Sequence, residues 1–546
     1  MDAPESTRTP TPSRWHIPTL LVIALLVHGW IIANTEVAAR DSIGFIRYAM
    51  QFDQPPPDPA DPNRQLTRLE IIRRAEHPPG YPLMVWLMSI PVRAIAGGPT
   101  PENMVLATQL VSALAGILLI LPMYRLVQRM FDSTAAFRAV AIFQCLPVPA
   151  EITSDGLSDG LYLLAVVSAL AFAAGSFREQ SSAPLLGAGI CTGLAYLVRP
   201  EGVLLMAAIG GMLIAAVFLR QITWKLWIRR MVLLGIGAAS IALPYIALIG
   251  KLTNKATGSV LVRTLQGEDA RPTWHMDTPT SFRDTITKQP IAAWWTQGFD
   301  NSEGRILWAV QVLIGETSKS AHYVPFALGV IGIVVLLPRW RRDPVMLMPL
   351  ILGGLNAALL IFMGSRIGYI SERHTLWLAT LMVIFAAGYL PTFAQWLTRW
   401  PTSPRSFTAM GYAQTLTILI LISGIPGWIK PLHANRKAHH IAGHWLAANT
   451  DPHSERIFDP FCWADYYAGR VFQEGWIRLD DSTPLYVIVE PKNLTPHSRL
   501  PALDQAKDMI RSGKPVFHWP ENVPLEQSRV AIYRVVPVQR PGTASR

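Results

Sequence analysis

Ionisable side chains stand at the ends of several long apolar runs in this sequence. A charge in or near the hydrocarbon of a membrane is costly, so charged residues in such places tend to mark function. Carboxylates can accept a proton from a hydroxyl group there, and arginines can bind a phosphate through two parallel hydrogen bonds. The residues that we single out are Arg40, Asp41, Tyr48, Glu76, His77, Asp155, Asp159, Arg199, Glu201, Arg366, Arg373 and His374.

Asp41 is the candidate general base. It follows the first apolar run, and Ile43, Ile46 and Met50 recur after it at helical spacing. A negative charge at the start of that helix also suits the helix dipole. Asp41 can therefore be interpreted either as a helix cap or as a base at the mouth of a cavity.

The other acidic candidates also have structural alternatives. Glu76 and His77 precede the segment 78–80 (Pro-Pro-Gly), which predicts a rigid turn. Asp155 and Asp159 are four residues apart, so on a helix they would share one face. Acids are equally typical of helix N-termini, which is the simpler interpretation of this pair.

Two further segments contain arginine. Arg199 and Glu201 stand between two apolar runs, where they can form an ion pair that stabilises a turn or can contact a ligand. Arg366, Arg373 and His374 cluster before a late apolar run. Because guanidinium groups suit bidentate phosphate binding, this cluster favours an anion site.

Long apolar helices must position these residues, and the composition indicates a membrane protein. The chain has 546 residues, of which 50% are hydrophobic and 16% are charged, and its mean hydropathy is +0.27. Soluble proteins carry about 25% charged residues, which excludes a soluble enzyme and a disordered protein. Three cysteines are too few for a disulfide-stapled secreted domain. The net charge of +11 does not imply nucleic acid, because basic residues collect in the cytoplasmic loops of membrane proteins.

Eleven apolar runs approach the length that a membrane-spanning helix needs. They are residues 15–34, 104–124, 135–150, 157–177, 183–198, 202–219, 231–250, 323–338, 344–363, 375–390 and 411–428. With a cytoplasmic N-terminus, this number puts the arginine-rich connections on the cytoplasmic side, as the positive-inside rule requires. A crossing by the short run 81–96 would invert that pattern, so we interpret this run as a juxtamembrane helix on the outer face.

The predicted fold class is an α-helical polytopic membrane protein of about eleven transmembrane helices, with a small C-terminal α/β domain outside the cytoplasm. Residues 1–14 are the cytoplasmic N-terminal tail, 15–428 the transmembrane domain and 429–546 the α/β domain. Alternating apolar stretches and one helical stretch in the last region predict its strands and helix. Trp463, Tyr466 and Tyr467 in this region can stack on a sugar, although such aromatic residues more often form a core.

Taken in order, these segments resemble the GT-C superfamily of membrane glycosyltransferases, and within it the bacterial protein O-mannosyltransferases and lipid A aminoarabinose transferases. The resemblance extends from about residue 15 to 430. It rests on Arg40-Asp41 with Tyr48-Ala49, the segment His77–Pro82, Ser158-Asp159-Gly160, the segment Tyr196–Gly202, and Arg373-His374. Each motif alone is weak, and the ordered set is specific for the superfamily but not for a substrate.

The resemblance implies a glycosyltransferase of the inner (plasma) membrane. Such enzymes take a sugar from a polyprenyl-phosphate donor and transfer it, with inversion, to a hydroxyl acceptor on the outer face, and the acceptor is a lipid, a glycan or a protein. Asp41 matches the acid that deprotonates the acceptor, while Arg366, Arg373 and His374 would hold the departing phosphate. The residues expected to line the cavity or bind the acceptor are Arg40, Tyr48, Glu76, His77, Asp155, Asp159, Arg199 and Glu201.

No cofactor is implied with certainty. Some branches of the superfamily need a divalent metal and others do not, and this sequence lacks a clear cluster of metal ligands. Asp41, Glu76 and His77 are the residues that could approach one another for this purpose. A metal is therefore left open, with none as our expectation.

Two other classes of function compete with a transferase. A transporter or flippase of a lipid-linked saccharide would also bind a charged headgroup. Such proteins often contain internal repeats with interrupted spans, and we find none here; the polar residues also collect at the outer boundary. A structural or assembly protein would leave the segments around Asp41 and His77 without a role.

Overall fold

The computed structural model describes residues 13–58, 61–255, 302–367, 369–400, 408–452, 454–470, 484–494 and 502–535. The predicted N-terminal tail, residues 1–14, lies almost entirely outside the described residues. The side chain of Arg366 lies outside them as well, although its backbone belongs to a helix.

Most of the described chain is helical. The helices before residue 255 are α1 (His16–Ala33), α2 (Arg40–Met50), α3 (Arg68–Arg74), α4 (Gly80–Ala96), α5 (Pro101–Leu118), α6 (Ile120–Met130), α7 (Ser133–Cys145), α8 (Pro147–Ile152), α9 (Ser158–Arg178), α10 (Pro184–Val198), α11 (Leu204–Phe218) and α12 (Trp224–Ile249). Those between 302 and 428 are α13 (Ser302–Ser320), α14 (Val324–Val335), α15 (Leu337–Trp340), α16 (Pro344–Ile367), α17 (Leu376–Thr398) and α18 (Ala409–Trp428). A short antiparallel ribbon, β1 (Pro57–Asp58) with β2 (Asp61–Gln65), precedes α3.

The chain is a polytopic membrane protein. Within the described residues, eight helical segments are long and apolar enough to cross a membrane, or nine if α13 and α14, which bend by 113°, count as one span. All eleven predicted runs fall on helical segments. Those at 135–150, 183–198 and 323–338 coincide with the shorter α7, α10 and α14, of 13, 15 and 12 residues. The sequence thus located the helices. Because α7, α10 and α14 are each shorter than 18 residues, none of them is by itself among the eight full-length spans.

Two helices that the sequence predicted outside the spans are present. The run 81–96 forms α4, a 17-residue apolar helix that is shorter than the eight spans. The segment after Asp41 forms α2, and its side chains Ile43 and Ile46 are almost completely buried. Both helices pack against each other and against α5. Together they lie at the end of the bundle where residues 34–50, 153–158, 199–203 and 369–375 meet, which we call the site end.

The C-terminal region is a small α/β unit. Its sheet has the strand order β3-β4-β6-β5, in which β3 and β4 are parallel and the other pairs antiparallel. Its elements are β3 (Arg456–Phe458), β4 (Leu485–Val489), β5 (Lys514–Trp519) and β6 (Val530–Val535), with α19 (Lys437–Asn449), α20 (Trp463–Tyr467) and α21 (Ala502–Ile510). The strands at 485–489 and 530–535 and the helix near 503–511 agree with the sequence prediction.

Aromatic residues of α20 fasten this unit to the site end. Trp463 Nε1 donates to the carbonyl of Ala38 over 2.8 Å, and the amide of Ala38 donates to Tyr467 Oη over 3.0 Å. Tyr466 Oη donates to the carbonyl of Pro101 over 2.8 Å. All three rings are buried, so they are core residues, the more frequent role for such aromatics. Trp463 and Tyr467 hold the loop that leads directly into α2, and Tyr466 holds the start of α5.

Glycine permits the close crossing of α10 and α12. A Cβ on Gly189 would lie 2.2 Å from the carbonyl oxygen of Leu234, and a Cβ on Gly237 would lie 2.4 Å from that of Leu186. Small residues commonly let membrane helices approach so closely, because packing rather than the hydrophobic effect drives their association.

We expect Gly189→Ala to destabilise the protein. The new methyl group must push α10 away from α12, at a cost of about 1–3 kcal/mol in the free energy of unfolding. Gly235→Ala, also in α12, is the matched control, since nothing lies within 4 Å of the position that its methyl group would take. It should leave stability unchanged or raise it by up to about 1 kcal/mol. Thermal unfolding of both variants in lipid nanodiscs measures the difference, and equal midpoints would contradict this account of the crossing.

Candidate functional site

Three carboxylates and three cations form one chain of alternating charges at the site end, which we call the charge ladder. Its members, in order, are Asp41, Arg373, Asp159, Arg199, Glu201 and Lys255. Arg373 bridges the first two acids: Nη1 donates to Asp41 Oδ2 over 2.7 Å and Nη2 to Asp159 Oδ2 over 3.2 Å.

The ladder continues through Arg199, which donates to Asp159 from Nη1. The Nε of Arg199 lies 3.8 Å from Glu201 Oε2, and Lys255 Nζ lies 3.4 Å from Glu201 Oε1. The guanidinium of Arg199 also lies over the ring of Tyr162, 5.7 Å from its centroid. Formal charges along the ladder cancel, so a bound anion must compete with the carboxylates for the cations.

Separate helix ends bring these side chains together. Asp41 is the second residue of α2 and Asp159 is the second residue of α9. The N-terminal end of a helix carries partial positive charge, so both acids stand where a negative charge is favoured. Arg199 directly follows α10, and Arg373 lies in the turn before α17.

The two acids bound by Arg373 differ sharply in exposure. The side chain of Asp159 is 3% exposed, whereas that of Asp41 is 54% exposed. Asp159 is thus a buried anchor for two guanidinium groups. Asp41 is the carboxylate at this position that a second molecule can reach.

Asp41 does not cap helix α2. The N-cap residue of α2 is Ala39, and no side chain forms a capping hydrogen bond there. Asp41 instead binds Arg373, which is 332 residues away along the chain. The carboxylate therefore belongs to a tertiary site.

The expectation that Asp155 and Asp159 share a helix face is wrong. Helix α9 begins at Ser158, and Gly156, with a φ of +67°, turns the chain between the two acids. Asp155 lies in that turn and binds His433, its Oδ2 being 2.8 Å from His433 Nε2. A left-handed residue ends the helical register that the spacing had assumed.

Arg373 controls the protonation of Asp41. The crowding of protein atoms around Asp41 would raise its pKa, but the charge and hydrogen bond of Arg373 outweigh this and hold the pKa below its ordinary value of 3.8. Burial would lower the pKa of Arg373, and the two acids raise it instead. At neutral pH, Asp41 is therefore a carboxylate and Arg373 a cation.

The two histidines near the ladder are neutral at pH 7. The protein atoms packed around His77, assisted by the charge of Lys255, lower its pKa. Burial, assisted by Arg199, lowers the pKa of His374 to about 4. The Nδ1 of His374 accepts the amide hydrogen of Ser371 over 3.2 Å, which assigns its proton to Nε2. His374 is thus an uncharged donor.

The pair of Asp155 and His433 links the C-terminal region to the site end. Burial lowers the pKa of His433, but the hydrogen bond and charge of Asp155 outweigh it, so this pKa lies above the ordinary 6.5. Asp155 is almost completely buried, and its Oδ1 has no hydrogen-bond partner among the described residues. The pair joins the turn before α9 to the segment that follows α18.

Several predicted site residues lie outside the ladder. Tyr48 packs in an apolar cluster with Phe52, Leu66 and Ile71. Arg40 has an exposed side chain. The exposed Glu76 and His77 lie near enough for their charges to interact, and His77 also feels the charge of Asp41. Arg366 is in the last turn of α16, and its side chain lies outside the described residues.

The sequence analysis missed Lys255, His433 and Tyr162. Lys255 lies in a long connection without a motif, so no local pattern could have identified it. His433 follows the last apolar run by a few residues. A basic residue at that boundary could have been singled out as a partner for the acids that precede α9. Tyr162 follows Asp159 by three residues and so lies on the same side of α9.

The grouping of Asp41, Glu76 and His77 around a metal ion is not seen. Within the described residues, these three do not bring potential ligand atoms within 4.8 Å of one another, whereas Glu102, His440 and His444 do.

Part of the chain matches a known protein family. Residues 76–247 match the model of the dolichyl-phosphate-mannose-protein mannosyltransferase family. No curated protein sequence matches the chain.

Solved membrane-protein structures match nearly the whole chain. The archaeal oligosaccharyltransferase AglB from Archaeoglobus fulgidus, in complex with an inhibitory peptide and a dolichol-phosphate, is 14% identical with a TM-score of 0.56, covering 95% of this chain and 75% of AglB. ArnT from Cupriavidus metallidurans, bound to undecaprenyl phosphate, is 12% identical with a TM-score of 0.55, covering 97% of this chain and all of ArnT. At these identities, the likeness establishes a shared fold.

Proposed function

Because the chain has the fold of the GT-C superfamily of membrane glycosyltransferases, we propose that it transfers a sugar from a polyprenyl-phosphate donor to a hydroxyl acceptor. Asp41 is the general base, and the configuration of the anomeric carbon inverts. The observation that carries this proposal is the accessible carboxylate of Asp41, held by Arg373 against the buried Asp159–Arg199 pair.

The reaction is a single displacement. The acceptor oxygen attacks the anomeric carbon as Asp41 takes the hydroxyl proton. The bond between that carbon and the phosphate oxygen breaks, and its electron pair leaves with the polyprenyl phosphate. The lowered pKa of Asp41 keeps it ionised and ready to accept a proton at neutral pH.

Arg373 supplies the contact to the departing phosphate. Its side chain is 28% exposed, so a phosphate can approach the guanidinium, and its buried Nε has no hydrogen-bond partner among the described residues. A phosphate drawn to this guanidinium also weakens the hold of Arg373 on Asp41, and the carboxylate becomes a stronger base when donor is bound. His374 adds an uncharged hydrogen-bond donor.

The other predicted residues have supporting parts in this proposal. Asp159, Arg199 and Glu201 orient Arg373 and shape the acceptor side of the site. Glu76 and His77 flank Asp41 at the entrance, with Arg40 beside it. Tyr48 packs on the apolar face of α2 and so holds that helix in place. Asp155 anchors the C-terminal region through His433.

We also propose the location of the reaction. The arginine clusters at 125–138, 220–230 and 339–342 lie in connections opposite to the predicted outer loops, and they favour a cytoplasmic placement of that end. The site end and the C-terminal α/β unit then face the outside of the inner (plasma) membrane. Donor and acceptor meet there, and the acceptor is a lipid, a glycan or a protein.

Mass spectrometry of glycolipids and glycoproteins from cells with and without the chain tests the proposed function. We expect the loss of one glycosylated species and the accumulation of intact polyprenyl-phosphate sugar in cells without it. In proteoliposomes, the purified chain should then convert that donor to polyprenyl phosphate. A donor that changes leaflet but stays intact would overturn the proposal in favour of a flippase.

A further inference from the structure

Two histidines and a glutamate converge where the C-terminal unit meets the helix bundle. His440 and His444 are one turn apart on α19, so they lie on the same face. Glu102 is in the first turn of α5. None of the three belongs to the charge ladder.

The three ligand atoms have the spacing of a metal site. His440 Nε2 and His444 Nε2 are 2.9 Å apart, and they lie 3.8 Å and 3.5 Å from Glu102 Oε1. Ligands at about 2.0–2.1 Å around a tetrahedral Zn²⁺ are separated by roughly 3.3 Å. The mean of the observed separations is close to this value, so small side-chain rotations suffice to bind an ion.

The two imidazole nitrogens are in direct hydrogen-bonding contact. At 2.9 Å, Nε2 of one neutral ring donates its proton to the Nε2 lone pair of the other ring. A metal ion would replace this hydrogen bond by binding the Nε2 lone pairs of both rings. Glu102 would balance part of its charge.

The surroundings hold the ligands in place and leave room beside them. The ring of Tyr467 lies against His440, with 4.2 Å between ring centroids. A cavity of about 280 Å³ borders Glu102 and His440, and Thr35, Glu36 and Gln109 also line it. Three protein ligands next to an open cavity leave a fourth tetrahedral position for water or a small ligand.

We propose that Glu102, His440 and His444 bind a divalent transition-metal ion, for which Zn²⁺ is the probe. Two imidazoles and one carboxylate are a ligand set that zinc prefers. The ion would join α5 of the bundle to α19 of the C-terminal unit. Tyr467, which contacts both His440 and the amide of Ala38, connects this junction to the loop before α2.

Zinc binding by the full-length protein, purified without a polyhistidine tag, tests the proposal. We expect the wild-type chain to retain one Zn²⁺ per molecule after dialysis, and Zn²⁺ to raise its midpoint of thermal unfolding. His444→Asn should weaken zinc binding by more than about 100-fold, measured by competition with a chromophoric chelator, because even indirect partners of a metal contribute 10–100-fold. This variant is favourable because the side chain is 57% exposed.

His518→Asn is the matched control, since it removes one imidazole from β5 of the same region and should leave zinc binding unchanged. Cobalt replacement in the wild-type chain gives an independent measurement, with the absorption bands of tetrahedral Co²⁺ expected. A wild-type protein that retains no zinc and shows no such bands would overturn the proposal. Equal zinc affinity in wild type and His444→Asn would do the same.

Discussion

Asp41→Asn is expected to lower the rate of sugar transfer by at least about 100-fold, the usual scale for loss of a general base. The amide has nearly the size of the carboxylate and can still accept a hydrogen bond from Arg373 Nη1. It cannot accept the proton of the acceptor hydroxyl. The chemical step therefore fails, while donor binding through Arg373 persists. Transfer is measured as polyprenyl phosphate released from the donor in proteoliposomes.

Glu36→Gln is the control for this variant. Glu36 lies in the loop that leads into α2, and it pairs with Lys437 over 3.1 Å outside the ladder. Loss of an exposed ion pair costs about 1 kcal/mol or less, so both folding and transfer should survive. If Asp41→Asn transferred sugar at the wild-type rate, a different residue would be the base, and the proposed mechanism would be wrong.

Arg373→Lys is expected to reduce transfer by about 100- to 1,000-fold, the range found when one donor to a developing anion is lost. Lysine keeps the positive charge but offers a single nitrogen. It cannot reach Asp41, Asp159 and a phosphate in the fixed directions of a guanidinium. We expect the donor KM to rise and kcat to fall together, measured with the same release assay.

Arg93→Lys is the matched substitution elsewhere. Arg93 pairs with Asp53 over 2.6 Å near the end of α4, away from the ladder residues. It should leave both KM and kcat close to the wild-type values. A normal donor KM in Arg373→Lys would show that this arginine does not contact the phosphate, and would contradict its proposed role.

Periodicity and hydrophobicity predicted the helices well. Every predicted apolar run falls on a helical segment, because a chain inside a bilayer must satisfy its backbone hydrogen bonds within the helix itself. Among the described residues, eight or nine helical segments are long enough to cross a membrane, since α7, α10 and α14 are short helices. Run length in the sequence does not reveal where a helix bends or stops inside protein.

Local patterns singled out most members of the charge ladder but not their partners. Asp41, Asp159, Arg199, Glu201 and Arg373 were all singled out. Their pairing across the bundle follows from packing, and no spacing rule relates residues 332 or 214 positions apart. The turn at Gly156 likewise sends Asp155 to His433, which no helical pattern could indicate.

By itself, the sequence determined that this is a helical membrane protein, where its helices lie, and which charged residues stand beside them. Whether a segment lies in lipid or in water depends on how apolar its residues are, and the sequence gives that composition directly. Only the tertiary structure decided that Asp41 is accessible while Asp159 is buried, that one arginine holds both, and that α19 brings two histidines to Glu102. Exposure and pairing are set by which helix ends meet, and that depends on the packing of the entire bundle.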